Sequence, residues 1–184
     1  MSDLRLSQIW IYPIKSLGGI SMASAKVLGK GLQHDRRWML VDSQGKFMTQ
    51  RTRPMMALFK VTLHDDHLTI HHKGDSLNLL LNHAYTQESS EVQIWDDVVS
   101  AIEVSPEYSL WFTEHLGVSC RLVYFPEDNA RPVDPAYHVN KEQVSLADAY
   151  PFLIIGERSL DDLNSRLEQC VSMSRFRPNF VFSG

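Results

Sequence analysis

Cysteine is scarce in this chain of 184 residues, which contains only Cys120 and Cys170. Their wide separation, with no metal-binding spacing around either, argues against a disulfide framework. Long hydrophobic runs are also missing, since segments such as 151–155 fall far short of the roughly 20 apolar residues that span a bilayer. The N-terminus alternates polar and apolar residues and lacks the apolar core of a signal peptide. These absences predict a globular, cytoplasmic protein.

An excess of positive charge is missing as well. Lysine and arginine total 18 against 22 aspartates and glutamates, which gives a formal net charge of −4. No overall basic field therefore draws the protein to nucleic acid or to an anionic membrane, and any anion site must be local. The phosphate-binding loop, the dinucleotide fingerprint, the zinc-protease motif and the nucleophile elbow are also lacking. Their absence removes the simplest enzyme classes but leaves an enzyme possible.

Short strands are predicted up to residue 104, where apolar and β-branched runs alternate with turn signals. The predicted strands are 4–11, 24–28, 37–41, 46–49, 57–63, 68–71, 92–95 and 98–104. A helix follows, because Ser105, Pro106 and Gly117 supply an N-cap, a first helical proline and a stop. Its predicted buried stripe consists of Tyr108, Leu110, Trp111 and Leu116.

The second half of the chain adds a strand at 121–125, a second helix and a strand-like segment at 180–182. That helix is predicted to begin at Ser159, with Leu160, Leu163 and Leu167 on one face. The polar segment 126–143 contains three prolines and is the best candidate for a domain boundary. We therefore predict a mainly β, α+β fold divided into residues 1–125 and 126–184.

Histidine is concentrated in the segment HDDHLTIHH at residues 64–72. A metal site is one interpretation and a solvated hairpin is the other. In a hairpin, His71 and His72 point to opposite faces, and His64 and His67 flank the turn. A closed metal site needs three or four ligands that converge on one point, so the pattern favours the hairpin.

Cationic side chains recur where predicted strands begin or end. In IWIYPIKSLGGI at 9–20, Lys15 and Ser16 follow an apolar run and precede two glycines. These donors suit a phosphate, although a solvated strand end explains them as well. Arg36 and Arg37 are adjacent at a strand start, so only one of them faces a given pocket.

Two further arginine pairs lie in QRTRP at 50–54 and in RFRPN at 175–179. Arg51 and Arg53 share a side if their segment is extended. Pro178 favours an extended Arg177, which would put its guanidinium on the same face as the Asn179 amide. Each arginine alone is equally explained as a surface residue with a packed stem. Together they predict an anion pocket.

These segments also resemble a known family. YPIKS at 12–16, DRRW at 35–38, MTQR at 48–51 and FRPN at 176–179 are similar to motifs of MOSC proteins that carry an N-terminal β-barrel domain. That group includes bacterial members and the mitochondrial amidoxime-reducing component. PFLII at 151–155 and SLDDLNSRL at 159–167 resemble the opening of the MOSC domain. The resemblance implies an antiparallel pseudo-barrel followed by the first part of a MOSC β-barrel with short helices.

The resemblance further implies a molybdenum cofactor, held between the two domains by groups that contact its phosphate and pterin. The matching cofactor-binding positions are Lys15, Ser16, Arg36, Arg51, Arg177 and Asn179. The metal-binding cysteine of the family lies downstream of FRPN, so we expect an incomplete MOSC domain without a metal ligand or catalytic residue. Cys120 and Cys170 are interpreted as structural thiols.

The activity implied for the parent protein is that of a molybdenum-dependent oxidoreductase that reduces N-hydroxylated compounds. Electrons would come from a separate redox protein or from a C-terminal iron–sulfur domain, and no nucleic-acid or membrane partner is expected. The alternative is a non-catalytic module that carries molybdenum cofactor or transfers its sulfur. A third interpretation is a β-rich domain whose arginines are only surface residues.

Overall fold

The computed structural model describes residues 3–82 and 88–184. Strands make up most of the regular structure in these ranges, and the two α-helices found there both follow residue 105. The prediction of a mainly β, α+β fold is confirmed. The division of the chain after residue 125 stays a prediction.

The strands are short and follow one another closely along the chain. In chain order they are β1 (Arg5–Ile11), β2 (Ile20–Met22), β3 (Val27–Leu28), β4 (Gly31–Leu32), β5 (Trp38–Val41), β6 (Lys60–Leu63), β7 (His67–His72), β8 (Asp75–Leu80), β9 (Ser89–Ile94), β10 (Asp97–Glu103), β11 (Arg121–Tyr124), β12 (Ile154–Gly156) and β13 (Phe180–Ser183). The helices are α1 (Pro106–Leu116) and α2 (Glu157–Asn164), and 3-10 turns lie at Pro54–Leu58 and Met173–Arg175.

One sheet joins distant parts of the chain in the order β12-β13-β1-β2. Strand β13 is antiparallel to β1, with Ile9 opposite Phe180, and β12 runs parallel to β13. The Trp10 N–H donates to the Asn179 carbonyl at 2.8 Å. The residues just before β13 therefore lie against the end of β1.

The main hydrophobic core lies between α1 and strands of two further sheets, ordered β5-β11-β10-β9 and β6-β7-β8. Trp38, Phe59 and Phe112 are among its largest fully buried side chains. Ile14 and Leu17 are also fully buried in this core. Because they flank Lys15 and Ser16, core packing fixes the position of these two residues after β1.

Helix α1 is capped as predicted. The Ser105 hydroxyl accepts a hydrogen bond from the Glu107 N–H, and Gly117 ends the helix in the left-handed conformation. The predicted buried stripe is partly wrong, because Leu110 is 57% exposed whereas Phe112 is fully buried. These two positions are two residues, or about 200°, apart around a helix, so they cannot share a face. No helix within the described ranges is long and apolar enough to cross a membrane.

Helix α2 begins earlier than predicted. Gly156 is its N-cap and contributes no side-chain bond, so Ser159 lies inside the helix instead of capping it. Leu160 and Leu163 are only half-buried, and Leu167 lies beyond the helix end. The capping-box prediction is therefore wrong, although the helix itself is confirmed.

Local turns account for the other differences from the predicted strands. Pro54 starts a 3-10 turn, which replaces the beginning of the strand predicted at 57–63. Residues 46–49 make only isolated bridges, such as Val41 with Phe47. The strand predicted at 24–28 is reduced to β3, while β2, β4 and β8 are strands that the sequence pattern did not predict.

Candidate anion-binding cleft

All six candidate cofactor-binding residues line the same cleft. Lys15, Ser16, Arg36, Arg51, Arg177 and Asn179 border a cavity of about 490 Å³. This volume lies in the range typical of sites for small molecules and cofactors. The fold thus brings together side chains from four separate segments of the sequence.

Backbone hydrogen bonds hold the segment after β1 against the segment before β5. The Lys15 N–H donates to the Trp38 carbonyl at 2.8 Å, and the Arg36 N–H donates to the Tyr12 carbonyl at 2.9 Å. On the other side, the Gln50 amide donates to the Ser16 carbonyl at 2.7 Å. Lys15 and Arg36 consequently face the cleft from adjacent backbones.

The Lys15 ammonium is buried at the wall of the cleft. It donates to the Leu146 carbonyl at 2.8 Å and to the Asp148 carboxylate at 2.6 Å. Burial lowers the pKa of Lys15 to about 8, although the neighbouring Asp148 charge acts in the opposite direction. An ammonium has three N–H donors, so one remains after these two contacts.

The Arg36 guanidinium is held in place from three directions. It donates to the Asp35 carboxylate at 2.6 Å, to the Arg177 carbonyl at 2.9 Å and to the Asn179 side-chain oxygen at 3.1 Å. Asp35 is almost fully buried, and its other oxygen accepts the Tyr12 N–H at 2.7 Å. This arrangement orients Arg36 before any ligand binds.

The Asn179 side chain holds this arrangement in place through hydrogen bonds to neighbouring segments. Its side-chain oxygen also accepts the Leu153 N–H at 3.2 Å, and its amide nitrogen donates to the Trp10 carbonyl at 3.2 Å. The side chain is almost fully buried and is already occupied by these internal bonds. Asn179 therefore borders the cleft mainly as a residue that positions Arg36.

The Tyr12 ring lies close to two guanidinium groups. The guanidinium carbons of Arg36 and Arg177 lie 4.5 Å and 4.2 Å from the ring centroid. Such contacts offset part of the cost of gathering like charges. Burial raises the pKa of Tyr12 to about 12, although both arginines act to lower it, so the phenol stays neutral.

Arg177 carries an unused donor. One terminal nitrogen donates to the Leu17 carbonyl at 2.6 Å, whereas the other, Nη2, is buried and has no partner in the described part of the chain. Burial and the nearby Arg36 charge lower the pKa of Arg177 to about 10, which still leaves it charged at neutral pH. A buried donor without a partner is costly, so this nitrogen favours an external acceptor.

Four of the described cleft residues have a strained backbone, and Trp95 is one of them with a φ of 54°. The other three, Ser16, Arg36 and Arg177, have φ values of 67°, 49° and 57°, and non-glycine residues rarely adopt this left-handed region. The prediction that Pro178 keeps Arg177 extended is therefore wrong, because hydrogen bonds from Arg177 and Arg36 override the local preference. Strain of this kind is concentrated at functional sites.

The other arginine predictions have mixed outcomes. Arg37 turns away from the cleft and pairs with Glu127 at 2.6 Å, so only Arg36 of this pair lines it. Arg51 lines the cleft with its guanidinium 4.9 Å from the Trp95 ring centroid. The segment of Arg51 and Arg53 is not extended, because residues 50–52 form a turn in which the Arg53 N–H donates to the Thr49 carbonyl at 2.9 Å, so the condition for these two arginines to share a side is not met.

Several lining residues were not identified as site residues from the sequence. Asp148, Trp95 and Phe47 belong to them, and Tyr12 with Asp35 supports the site from behind. Tyr12 and Asp35 occur in the quoted motifs, so those motifs did carry a signal for them. Trp95 and Asp148 lie in segments where no motif was noted, and only the fold places them at the cleft.

The histidine-rich segment forms the predicted hairpin. His71 is exposed and His72 is buried on the opposite face. The His64 and His67 rings stack at 4.3 Å beside the turn. Within residues 3–82 and 88–184, no group of three or more histidine, cysteine, aspartate or glutamate residues could hold a metal ion.

The cysteines lie apart from the cleft. Cys120 is buried in the main core, where its N–H donates to the Thr113 hydroxyl at 3.1 Å, and burial raises the pKa of its thiol. Cys170 is exposed. Neither thiol borders the cavity.

The cleft is strongly cationic although the chain as a whole is acidic. Among its described lining residues are five cations, Lys15, Arg36, Arg51, Arg175 and Arg177, and one carboxylate, that of Asp148. The Ser16 hydroxyl has no hydrogen-bond partner among the residues that the structure describes, which leaves it available as a donor. This set of donors matches the requirements of a phosphate or a similar anion.

Comparison with known proteins shows which protein family this chain matches. The model of the MOSC N-terminal beta barrel domain matches residues 3–119, and that of the MOSC domain matches residues 141–184. "Mitochondrial amidoxime-reducing component 1" is 35% identical in Mus musculus and 33% identical in Homo sapiens, with 97% of this chain and 55% and 56% of the relative covered. "Molybdenum cofactor sulfurase" of Oryza sativa subsp. japonica is 30% identical, with 100% of this chain and 25% of the relative covered.

The chain spans about half the length of the amidoxime-reducing relatives and a quarter of the sulfurase. Its match to the first family model, by contrast, extends over more than half of its own residues. The chain therefore belongs to the family of proteins with a MOSC N-terminal beta barrel domain.

Proposed function

We propose that this chain forms the phosphate- and pterin-binding part of a molybdenum cofactor site, in a protein that reduces N-hydroxylated compounds. The observation that carries the proposal is the meeting of six dispersed polar residues at one cationic cleft. The names of the relatives, amidoxime-reducing component and molybdenum cofactor sulfurase, support the choice of ligand.

The residues of the cleft fit the anionic part of this cofactor. Arg177 Nη2 is a buried donor without a partner in the described residues. Lys15 retains one N–H donor, and the Ser16 hydroxyl is available beside it. These three side chains would hold the phosphate, while Arg36 adds charge from a fixed position.

The planar ring of the pterin would lie toward the aromatic side of the cleft. Trp95 and Phe47 contact each other there with ring centroids 4.8 Å apart, and Arg51 lies over Trp95. Stacking on these groups and hydrogen bonding to the guanidinium suit a polar heterocycle.

When bound, the cofactor supplies the oxygen-atom and electron transfer that the protein side chains cannot perform. The cleft contributes binding, orientation and a positive potential. Removal of oxygen from an N-hydroxylated compound as water consumes two electrons and two protons. We therefore propose an electron donor as partner, either a separate redox protein or an iron–sulfur domain, and we propose the cytoplasm as the location.

The second candidate is a module that carries molybdenum cofactor or transfers its sulfur without reducing a substrate. The similarity to the rice molybdenum cofactor sulfurase over the whole of this chain supports this second candidate. Both candidates share the cofactor-binding cleft. They differ in whether the protein reduces a substrate.

The test is to produce the full-length protein that contains this chain in cells that make molybdenum cofactor. Bound pterin is measured by fluorescence after oxidation, and amidoxime reduction is followed with a chemical electron donor. We expect close to one pterin per wild-type protein and less than a tenth of that for Lys15→Met. Lys60→Met, which removes an exposed lysine of β6, serves as the matched control and retains the pterin.

Two results would decide between the interpretations. Bound cofactor without amidoxime reduction would favour the carrier. Equal pterin content in wild type and Lys15→Met, or none in a folded wild type, would contradict the proposed site and leave its arginines as surface residues.

A further inference from the structure

The Lys15 ammonium is already paired with a carboxylate inside the cleft. Asp148 Oδ1 accepts from Lys15 Nζ at 2.6 Å and from the Trp95 indole N–H at 3.0 Å. The two partners differ greatly in exposure: the Lys15 side chain is 8% exposed and that of Asp148 is 64% exposed. The lysine cannot leave this position easily, whereas the aspartate side chain can turn into solvent.

The backbone around Asp148 is fixed from behind by Arg131. The Arg131 guanidinium donates to the Ser145 and Ala147 carbonyls at 2.6 Å each and to the Asp148 carbonyl at 3.2 Å. It also pairs with Asp97 at 2.8 Å. Any movement of Asp148 is thus confined to its side chain, and its carboxylate can return to the same place.

We propose that the Asp148 carboxylate is an exchangeable internal anion, which neutralises Lys15 in the ligand-free cleft and which a bound phosphate group replaces. The inference rests on the proposed anion-binding function of the cleft. It assigns Asp148 as the residue that limits anion affinity, and it links ligand binding to the charge state of Lys15.

The charges around Lys15 give the direction of this effect. Asp148 is its only carboxylate neighbour among the groups in the described residues that influence its pKa, and Arg36 and Arg131 are the cationic ones. Although partial burial acts to raise it, the Lys15 ammonium lowers the pKa of Asp148 below its ordinary value. At neutral pH the carboxylate is therefore charged and competes with an incoming anion.

Replacing this carboxylate has opposite consequences at low and high pH. In Asp148→Asn the competing charge is absent, so an anion binds more tightly as long as Lys15 is protonated. The same change withdraws the support that keeps the pKa of Lys15 near 8, so the pKa falls further. Lys15 then loses its charge at a lower pH than in the wild type, and the gain in affinity disappears.

The experiment measures sulfate binding by titration calorimetry from about pH 6 to about pH 9. Sulfate is a useful probe because it stays doubly charged over this range, so any change with pH comes from the protein. We expect Asp148→Asn to bind sulfate about tenfold more tightly than wild type at the lowest pH of this range. We also expect the pH at which affinity declines to lie lower in the variant.

Asp148→Ala and Asp96→Asn complete the design. The alanine variant also lacks the charge but keeps no contact with Trp95, so tighter binding in both Asp148 variants identifies charge as the cause. Asp96 adjoins Trp95 and does not border the cleft, so Asp96→Asn should bind like wild type. Thermal melting verifies that each variant is folded.

The outcomes separate this inference from the proposed function. If wild type binds sulfate and Lys15→Met does not, yet Asp148→Asn binds equally or more weakly at low pH, the exchangeable anion is contradicted while the cleft remains an anion site. If folded wild type does not bind sulfate, both the site and the inference are overturned.

Discussion

The cleft and the histidine-rich hairpin each contain an acid and a base at the same separation, but in different surroundings. Asp35 and Arg36 are 2.6 Å apart with side chains 1% and 11% exposed. Asp66 and His67 are also 2.6 Å apart, with side chains 76% and 26% exposed. The contrast shows that distance alone does not identify a functional pair.

Burial changes what such a pair does. In the hairpin, water solvates both groups, so the interaction contributes little to stability. In the cleft, each group depends on the other and on the hydrogen bonds around it, because Asp35 is buried and only a small part of Arg36 is exposed to water. The cleft therefore holds its charges in fixed positions, as an anion site requires, whereas the hairpin leaves its charges free to reorient.

The largest expected effect follows from breaking the buried pair. Asp35→Ala removes the carboxylate that pairs with the Arg36 guanidinium and leaves the Tyr12 N–H without its acceptor, so we expect the free energy of unfolding to fall by about 3–5 kcal/mol. Urea denaturation of the wild type and the variant measures this difference in the free energy of unfolding. Asp66→Ala is the matched control in the hairpin and should leave the unfolding curve unchanged. Equal losses in the two variants would refute the role assigned to burial.

The next effect concerns the donor without a partner. Arg177→Met removes Nη2 and its charge from the cleft, and a hydrogen bond to a charged group contributes about 1.5–3 kcal/mol. We expect sulfate affinity to fall about 10- to 100-fold, as measured by calorimetry. Arg158→Met, on the exposed face of α2, is the control and should bind normally. Unchanged affinity in Arg177→Met would remove this arginine from the site.

A smaller effect tests the one buried histidine of the hairpin. Neither ring nitrogen of His72 has a partner within the described residues, and its ring centroid lies 4.0 Å from that of Phe59. Burial, together with the charges of His115 and Lys73, lowers the pKa of His72 in the folded protein. The unfolded chain then takes up the proton first, so stability is complete above about pH 6.5 and decreases as the pH falls below it.

His72→Leu should reduce this acid sensitivity by about 1 kcal/mol between pH 7.5 and pH 5.5, as measured by urea denaturation at both values. His34, whose pKa is lowered by burial and by Arg37, keeps part of the pH dependence in the variant. His71→Gln changes an exposed neighbour and should behave like wild type. An unchanged pH dependence in His72→Leu would show that this ring is solvated.

The fold could be predicted where local signals act alone. Ser105 and Gly117 fix the ends of α1, as predicted. The failures occur where tertiary contacts decide. Arg177 does not adopt the extended conformation that Pro178 favours. Its guanidinium donates a hydrogen bond to the Leu17 carbonyl, far away in the sequence, and this contact overrides the local preference.

The candidate site could be predicted only in part for the same reason. Lys15, Arg36 and Arg177 were found because each lies in a recognisable motif. That they share one cleft depends on the pairing of β1 with β13 and on the bonds between segments 12–15 and 36–38. Asp148 had no local signal, because its importance arises from contact with a lysine 133 positions earlier.

The smallest expected effect on sulfate binding concerns Arg51, an exposed arginine at the edge of the cleft. Arg51 lines the cavity but is exposed, so it resembles the hairpin charges more than Arg36 does. We expect Arg51→Ala to weaken sulfate binding about two- to threefold at low salt. The loss should vanish near 1 M sodium chloride, where the Debye length is about 3 Å. Arg53→Ala, two residues on and outside the cleft, should show no loss at either salt concentration. A tenfold loss in Arg51→Ala that persists at high salt would mean that Arg51 contacts the anion directly, and burial would then no longer separate the binding residues from the others.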